Sequence, residues 1–496
     1  MSELDEQRAN RRKKAQELAE AGVALYPYGF EHDLEPSEVH EVYGALGEEE
    51  LATKGARVRV PGRVRAIRGH GKVQFVDLSD GDEKLQLFVR RPQMDDVVCH
   101  LLDRLDIGDL VGATGTVMRT RAGELSLMLE ELVLLAKALR PLPEKWHGLT
   151  DVEARYRQRY LDLIVNPESR DVFQLRSALI REARRFFDDR GFLEVETPMM
   201  HLLAGGAAAK PFSTHHNALD LDLFLRIAPE LHLKRLLVGG FHRVYEINRN
   251  FRNEGISTQH NPEFTMLELY WAWVDYHAMM ELAEELITTL EERLLPESGL
   301  RWQGRRLDLA RPWRRLTMRD ALHEIAGMDP ERTDSAEGLR AEHEARGLEL
   351  PEATTYGHLL MHLFETLVEE HLRDPTFILD FPVEVSPLAK EHRDDPRFVE
   401  RFELYLAGME IANAFSELND PRVQAERFRQ QLEARESGDE EAHRFDEDYV
   451  QALEVGMPPA GGIGIGIDRL AMLFGDRQSI RDVILFPLLR PASGEE

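Results

Sequence analysis

The chain has 496 residues, 43% hydrophobic and 31% charged, enough for two or three domains with a substantial core. Its single cysteine, Cys99, excludes an internal disulfide and a cysteine-built zinc site within one chain, and the net charge of −28 argues against an overall affinity for phosphate. No apolar run approaches the roughly 18 residues of a membrane span. The charged segment Met1–Glu20 lacks the apolar core of a secretory signal, so the expectation is a cytoplasmic protein with no membrane partner.

In chain order, residues from about Leu4 to Ala21 read as a charged helix carrying Arg11, Arg12, Lys13 and Lys14. Five runs of strand character follow: Arg57–Arg68, Val73–Leu78, Lys84–Arg90, Asp109–Met118 and Glu124–Leu135. A helical piece around Asp95–Leu105 separates the third from the fourth, which is the order of an OB barrel. Pro141 and Pro143 punctuate a linker. The expected division is an N-terminal extension (1–50), a five-stranded OB-type barrel (51–145) and a second domain (146–496). From Ala52 to Val76 seven basic residues (Lys54, Arg57, Arg59, Arg63, Arg65, Arg68, Lys72) stand without one Asp or Glu, a local reversal inside an acidic chain. Alternation along the strands turns Phe75 and Asp77 outward with Gln86, Phe88 and Arg90, while Val76, Leu78, Leu85, Leu87 and Val89 turn in. Aromatics beside amide and guanidinium groups suit unpaired bases; the plainer alternative is that Phe75 and Phe88 cover a barrel end or pack on the second domain.

Beyond the linker the pattern predicts an α+β domain around a mostly antiparallel sheet. Glu168–Arg190 reads as a long helix with Gly191 as its C-cap. Residues of about 275–400 read as an insertion with no assignable chemistry, and Glu436–Asp448 as a solvated acidic helix or loop. Three blocks stand out. Gly191–Pro198 (GFLEVETP) is a helix running into a strand that Pro198 stops. Arg243–Tyr270 reads as two strands joined by a loop holding Phe251-Arg252-Asn253-Glu254 and His260-Asn261-Pro262. On its returning strand Phe264, Met266, Glu268 and Tyr270 share one face, although a structural salt bridge between Arg252 and Glu254 is the simpler reading of that pair. Gly461–Arg469 (GGIGIGIDR) puts Ile463, Ile465 and Ile467 on a core face and leaves the other face bare for a flat ligand. Asp468 is expected to cap the following helix, with Arg469 in its first turn. A dinucleotide fingerprint is rejected, because no βαβ unit fits after the run.

These blocks resemble the three signature motifs of class II aminoacyl-tRNA synthetases, and Lys137–Ile164, Ile227–Tyr270 and Met409–Pro421 resemble the lysyl branch of subclass IIb. The resemblance implies a class II antiparallel sheet flanked by helices, a homodimer interface at Pro198, and activation of L-lysine by ATP before transfer to tRNA(Lys). It assigns Arg252 to the α-phosphate and the lysine carboxylate, and Phe264 to adenine with Glu254, His260 and Asn261 nearby. Gly466 and Glu410 join the ATP site, and Arg469 reaches the γ-phosphate. Glu403 and Glu410 match magnesium-binding carboxylates. Glu230 with the Gly206 backbone matches the α-amino site. Glu417 and Tyr270 match the ε-ammonium site, with Glu268 and Asn413 in support. Arg68, Phe75 and Gln86 match anticodon-reading positions.

Strict alternation does not bring Glu410 and Asn413 to one face, so either the strand is bulged near Gly408 or the two groups serve different directions. Met409, Ala412 and Ala414 depart from residues some relatives carry. The adjacent His215 and His216 are read as structural. Three rivals remain: an aspartyl or asparaginyl enzyme, against which the acidic Glu230 and Glu417 speak; a protein-lysylating relative, against which the barrel speaks; and an inactive RNA-binding scaffold.

Overall fold

A computed structural model of the chain describes residues 2–491 except 70, 82, 144–148, 208 and 437–443. The expected boundary at 145/146 and the middle of the acidic tract 436–448 lie outside the described residues. Two compact units emerge, Met1–Arg170 and Asp171–Glu496. The first runs past the two prolines because Arg65 donates to the Ile164 carbonyl (2.7 Å) and Asp162 is gripped by Arg155 (2.8 Å) and Arg159 (2.6 Å).

In the first unit β1 (Arg57–Arg68), β2 (Val73–Ser79), β3 (Lys84–Arg90), β4 (Leu110–Arg119) and β5 (Leu125–Ala136) close into a barrel in the order β1-β2-β3-β5-β4. Helix Asp96–Arg104 stands between β3 and β4, as the spacing predicts. Alternation holds: Val76, Leu78, Leu85, Leu87 and Val89 are buried in the barrel core, which also takes Leu18, Val39, Tyr43 and Leu51 from the N-terminal helices. Helix Glu3–Glu20 is tied down by Arg11, whose buried guanidinium donates to the carbonyls of Ile107, Ala138 and Arg140, and by Lys14 on Asp106 (2.6 Å). Half of that helix's basic cluster therefore serves the fold.

The second unit contains β6 (Leu193–Glu194), β7 (Met200–His201), β8 (Ser213–His216), β9 (Leu221–Leu225), β10 (Arg243–Phe251), β11 (Glu263–Ala272), β12 (Arg301–Trp302), β13 (Arg305–Arg306), β14 (Arg314–Thr317), β15 (Thr376–Pro382), β16 (Phe398–Leu406), β17 (Met409–Ser416) and β18 (Ala460–Gly466). Eight of them form one sheet, β14-β15-β16-β17-β18-β11-β10-β6, antiparallel inside with a parallel pair at each edge. The stretch 275–400 is woven into this sheet through β14, β15 and the start of β16, and its helix Tyr276–Leu294 fills the central core with Met279, Leu286 and Leu290. Helix Pro167–Asp188 adds Leu179, Phe186 and Phe187 to the same core, and helix Ile467–Phe474 adds Leu470 and Leu473. Among the described residues no helix is long and apolar enough to cross a membrane.

Candidate active site

The opposite face of the sheet is hollow where β17, β18 and β11 lie side by side. The reason is in β18: Ile463 and Ile465 enter the core, so the glycines between them face away from it. A Cβ on Gly462 would lie 2.0 Å from Glu417 Oε1 and 2.6 Å from the Tyr270 ring, so only glycine admits both side chains. Across the strand, Phe264, Met266, Glu268 and Tyr270 of β11 turn toward this hollow, as alternation requires.

Two cavities result. One, of about 240 Å³, is walled by Phe264 and Arg469 and floored by Gly464 and Gly466. The Arg252 guanidinium lies 5.1 Å from the Phe264 ring centre, and its Nε is buried with no hydrogen-bond partner among the described residues. Arg469 donates to the Glu410 carbonyl (2.7 Å) and carboxylate (2.9 Å), and its Nη2 lies 3.4 Å from His260 Nε2. Partial burial, then the Arg469 charge, holds the His260 imidazole below its ordinary pKa. Asn261 donates to the Glu263 carbonyl (2.6 Å), and Glu254 stands exposed on the rim. Among the described residues Arg252 and Glu254 form no ion pair, so the salt-bridge reading of that pair falls.

The other cavity, of about 310 Å³, is lined by Glu230, Glu268, Tyr270 and Glu417, all buried, with Gly206 at its edge. Gly206 adopts φ +90°, and a Cβ there would press within 3.2 Å of the Glu230 Cβ. Burial, then the charges of Glu230 and Glu246, pushes the Glu268 carboxyl up to about 8. Glu230 and Glu417 are raised by burial, against the pull of Lys234, which forms ion pairs with both. Glu417 Oε1 has no hydrogen-bond partner among the described residues. Arg252, Met266, Glu410, Asn413 and Gly464 line both cavities, so Arg252 stands at their junction.

The pairing of β16 with β17 slips by one residue, Leu404 opposing Ala412 and Tyr405 opposing Glu410, which makes Ile411 the extra residue of a bulge. Glu410 and Asn413 thereby reach the same hollow, and the bulge lies three residues beyond the turn at Gly408 where the sequence suggested it. Glu403 accepts from Arg401 (2.7 Å) and from the Tyr405 hydroxyl (2.7 Å). Burial and then the Glu410 charge push Glu403 up to about 7, whereas Arg469 holds Glu410 below its ordinary value despite its burial. Two carboxylates that repel in this way suit a hard divalent cation, which Glu403 and Glu410 would hold. Among the described residues no cluster of three or more metal-ligating side chains occurs.

One expectation is corrected. Asp468 does not cap helix Ile467–Phe474, whose N-cap is Gly466. Its carboxylate accepts instead from the Thr265 amide (2.6 Å) and pairs with Arg176 (2.7 Å), stitching the helix start to β11 and to helix Pro167–Asp188. Pro198 and its neighbours Met199, Met200 and Leu202 are exposed. His215 is held by Asp222 (2.8 Å) on the neighbouring strand, in keeping with a structural part.

On the barrel, Phe75 pairs in register with Arg68 on one side and Phe88 on the other, the two rings 5.4 Å apart, and Asp77 pairs with Gln86. Gln86 in turn accepts from Ser126 (3.1 Å). Three of the seven basic residues in the run are already compensated. Arg57 is paired with Glu130, Arg59 with Asp33, and Arg68 with Asp77 through both nitrogens (2.6 and 2.7 Å). The partners come from other parts of the chain, which is why the run looks uncompensated in one dimension.

A family profile for class II tRNA synthetases (D, K and N) matches residues 151–490, and one for the OB-fold nucleic acid binding domain matches residues 58–135. The lysine–tRNA ligase of Carboxydothermus hydrogenoformans is 54% identical over 489 residues, covering 99% of both chains. That of Moorella thermoacetica is 55% identical over 97% of both, and that of Bacillus subtilis 50% identical over 98% of both. This chain belongs to the lysine–tRNA ligase family of the class II tRNA synthetases. Both cavities lie within the class II synthetase match, and Arg68, Phe75 and Gln86 lie within the OB-fold match.

Two residues of this synthetase site escape a reading of the sequence. Arg401, which holds Glu403 and also Asn413 (3.1 Å), stands two positions before Glu403 on the same strand, so alternation would have found it. Lys234 is one helical turn after Glu230, but its second partner, Glu417, is far along the chain and leaves no local trace.

Proposed function

We propose that this chain is a lysine–tRNA ligase that converts L-lysine and ATP to lysyl-adenylate and pyrophosphate, then transfers lysine to the 3′ end of tRNA(Lys) with release of AMP. The observation that carries the reading is Arg252 at the junction of an arginine-flanked cavity and a carboxylate-lined one. A lysine brings two ammonium groups and one carboxylate. Glu230 takes the α-ammonium, Glu417 with Tyr270 takes the ε-ammonium, and Arg252 draws the substrate carboxylate toward the α-phosphate. Glu268 and Asn413 steady the pocket.

ATP lies in the first cavity with its adenine against Phe264, beside His260, Asn261 and the rim residue Glu254, over the bare backbone at Gly466, with Arg469 on the γ-phosphate. A lysine carboxylate oxygen attacks the α-phosphorus, the bond to the bridging oxygen breaks, and pyrophosphate leaves with the electron pair. No enzyme nucleophile is required, because alignment and fixed positive charge lower the barrier. Mg²⁺ held by Glu403 and Glu410 would add charge neutralisation at the phosphates. In the second step a terminal ribose hydroxyl of the tRNA attacks the lysyl carbonyl carbon, and AMP departs. Arg68, Phe75 and Gln86 read the anticodon by stacking and hydrogen bonding. The exposed apolar residues around Pro198 pack in a homodimer, and the enzyme acts in the cytoplasm.

The test is amino-acid-dependent ATP–pyrophosphate exchange without tRNA, screened over the standard amino acids. Exchange with lysine alone supports adenylate chemistry and the acidic pocket together. Exchange with aspartate or asparagine keeps the chemistry and overturns the pocket, while no exchange by the folded protein with Mg²⁺ overturns the proposal.

A further inference from the structure

Between Glu230 and Glu417 sits a cation to which lysine activation assigns no part. Lys234 belongs to helix Glu230–Val238 and is wholly buried. Its Nζ forms ion pairs with Glu230 Oε1 and Glu417 Oε2, and lies 5.2 Å from the centre of the Phe415 ring and 5.9 Å from that of Tyr270. An ammonium that does not itself line the cavity therefore sits among carboxylates and aromatic rings that do, the surroundings a bound lysine side chain would need. Glu417 spends only one oxygen on it; the other, Oε1, faces Gly462 with no hydrogen-bond partner among the described residues.

We propose that Lys234 is a positioning and specificity-determining residue, a resident ammonium that clamps Glu230 and Glu417 as paired carboxylates so that only a second cation, the substrate's own, completes the cluster. The inference rests on the lysine-activation reading. Two carboxylates that share one ammonium are close enough that, without it, one would retain a proton. A protonated Glu417 would offer a hydroxyl in place of a charge, and the pocket would lose its reason to prefer lysine over a neutral side chain of equal length. With Lys234 in place the triad carries one net negative charge, matched to the single net positive charge of a lysine, whose two ammonium groups at Glu230 and Glu417 are offset in part by its own carboxylate.

The groups facing this cluster come from every element around it. Glu268 and Tyr270 act on it from β11, Arg401 from β16 and Tyr449 from helix Glu447–Gly456. Glu246, Arg226 and Arg252 act one step further out on Glu268, and Arg235 on Tyr449. Burial opposes the Lys234 charge and the two carboxylates favour it, with the balance on the charged side; both carboxylates are in turn pulled down by it against the rise that burial causes. Removing the ammonium leaves Glu417 only the upward push, and leaves Glu230 only Arg401 to oppose it.

The experiment is Lys234→Met in pyrophosphate exchange, with lysine and norleucine compared from pH 6.5 to 9.5 and thermal unfolding followed alongside. Wild-type exchange with lysine is measured first; its absence would sink the functional reading and leave Lys234 out of the question. Given that exchange, at pH 7 the variant shows a lysine KM raised at least tenfold, an ATP KM within twofold, and a lysine-over-norleucine preference in kcat/KM reduced at least tenfold. Its lysine KM recovers toward the wild-type value only at a pH one unit or more higher. A loss equal for lysine and norleucine with an unshifted pH profile would overturn the proposal, because that is what a packing defect produces. Should Lys234→Met not fold, Lys234→Gln keeps a hydrogen-bond donor without the charge and is read by the same two criteria.

Discussion

Replacing Glu417 with Gln is the sharpest perturbation of the pocket, since the side chain keeps its shape and loses only its charge. Glu417 is 1% exposed, its Oε1 has no hydrogen-bond partner among the described residues, and it packs where a Cβ on Gly462 would lie 2.0 Å away. Truncating one side of a buried, hydrogen-bonded charge pair costs about 2–5 kcal/mol. Taking about 3 kcal/mol, lysine binding should weaken about 150-fold. The ATP cavity does not include residue 417, so the ATP KM should stay within about twofold, on the order of thermal energy. Pyrophosphate exchange with each substrate varied separately reads both numbers. A lysine KM that moves less than the ATP KM would remove Glu417 from the ammonium site, whatever the loss in rate.

Other expectations are read in simpler assays. Gly462→Ala should abolish lysine activation while the protein still melts cooperatively, because a Cβ 2.0 Å from Glu417 Oε1 displaces that carboxylate; an active Gly462→Ala would contradict the packing. Phe75→Ala should weaken aminoacylation by about 1–3 kcal/mol of lost stacking and spare pyrophosphate exchange; unchanged tRNA kinetics would count against an anticodon role. Glu403→Gln should raise the Mg²⁺ concentration needed for half-maximal exchange, and an unaltered Mg²⁺ curve would separate Glu403 from the metal. Glu268 sets a pH dependence. Its folded-state pKa of about 8 lies above the 4.5 of a free glutamate, so the folded form holds the proton more tightly. Its contribution to stability is full below pH 4.5 and is lost as pH rises through 8. The melting temperature without lysine should therefore fall from pH 6.5 to 8.5, and the fall should be shallower in Glu268→Gln; parallel slopes would refute the assignment.

What the sequence discloses and what it conceals divide along physical lines. Period-two patterns are local, so the barrel order, the outward Phe75 and Gln86, the cavity face of β11 and the bare face of β18 are all legible before any coordinates exist. Ile411 breaks that period by a single residue, and the alternation rule then misplaces Glu410 relative to Asn413 until the register is known. Asp468 looks like a cap because it stands where a helix begins, yet a buried amide from β11 and a guanidinium from helix Pro167–Asp188 hold it instead. Lys234 and Glu417, 183 positions apart, meet only in three dimensions. Charge pairing across the fold is the common element in what was hidden.

The compensated arginines of the barrel bear on how an RNA would arrive. Since Arg57, Arg59 and Arg68 already hold carboxylates, a phosphate meeting them exchanges one ion pair for another instead of releasing a condensed cation for each contact. The slope of binding free energy against the logarithm of salt should then be shallower than a count of basic residues suggests. On a chain of net charge −28, encounter gains little from long-range attraction. On the proposed anticodon reading, an RNA held on the barrel would then depend more on the rings and amides at its surface, and discrimination among RNAs would be decided after contact, by how slowly the fitting one departs.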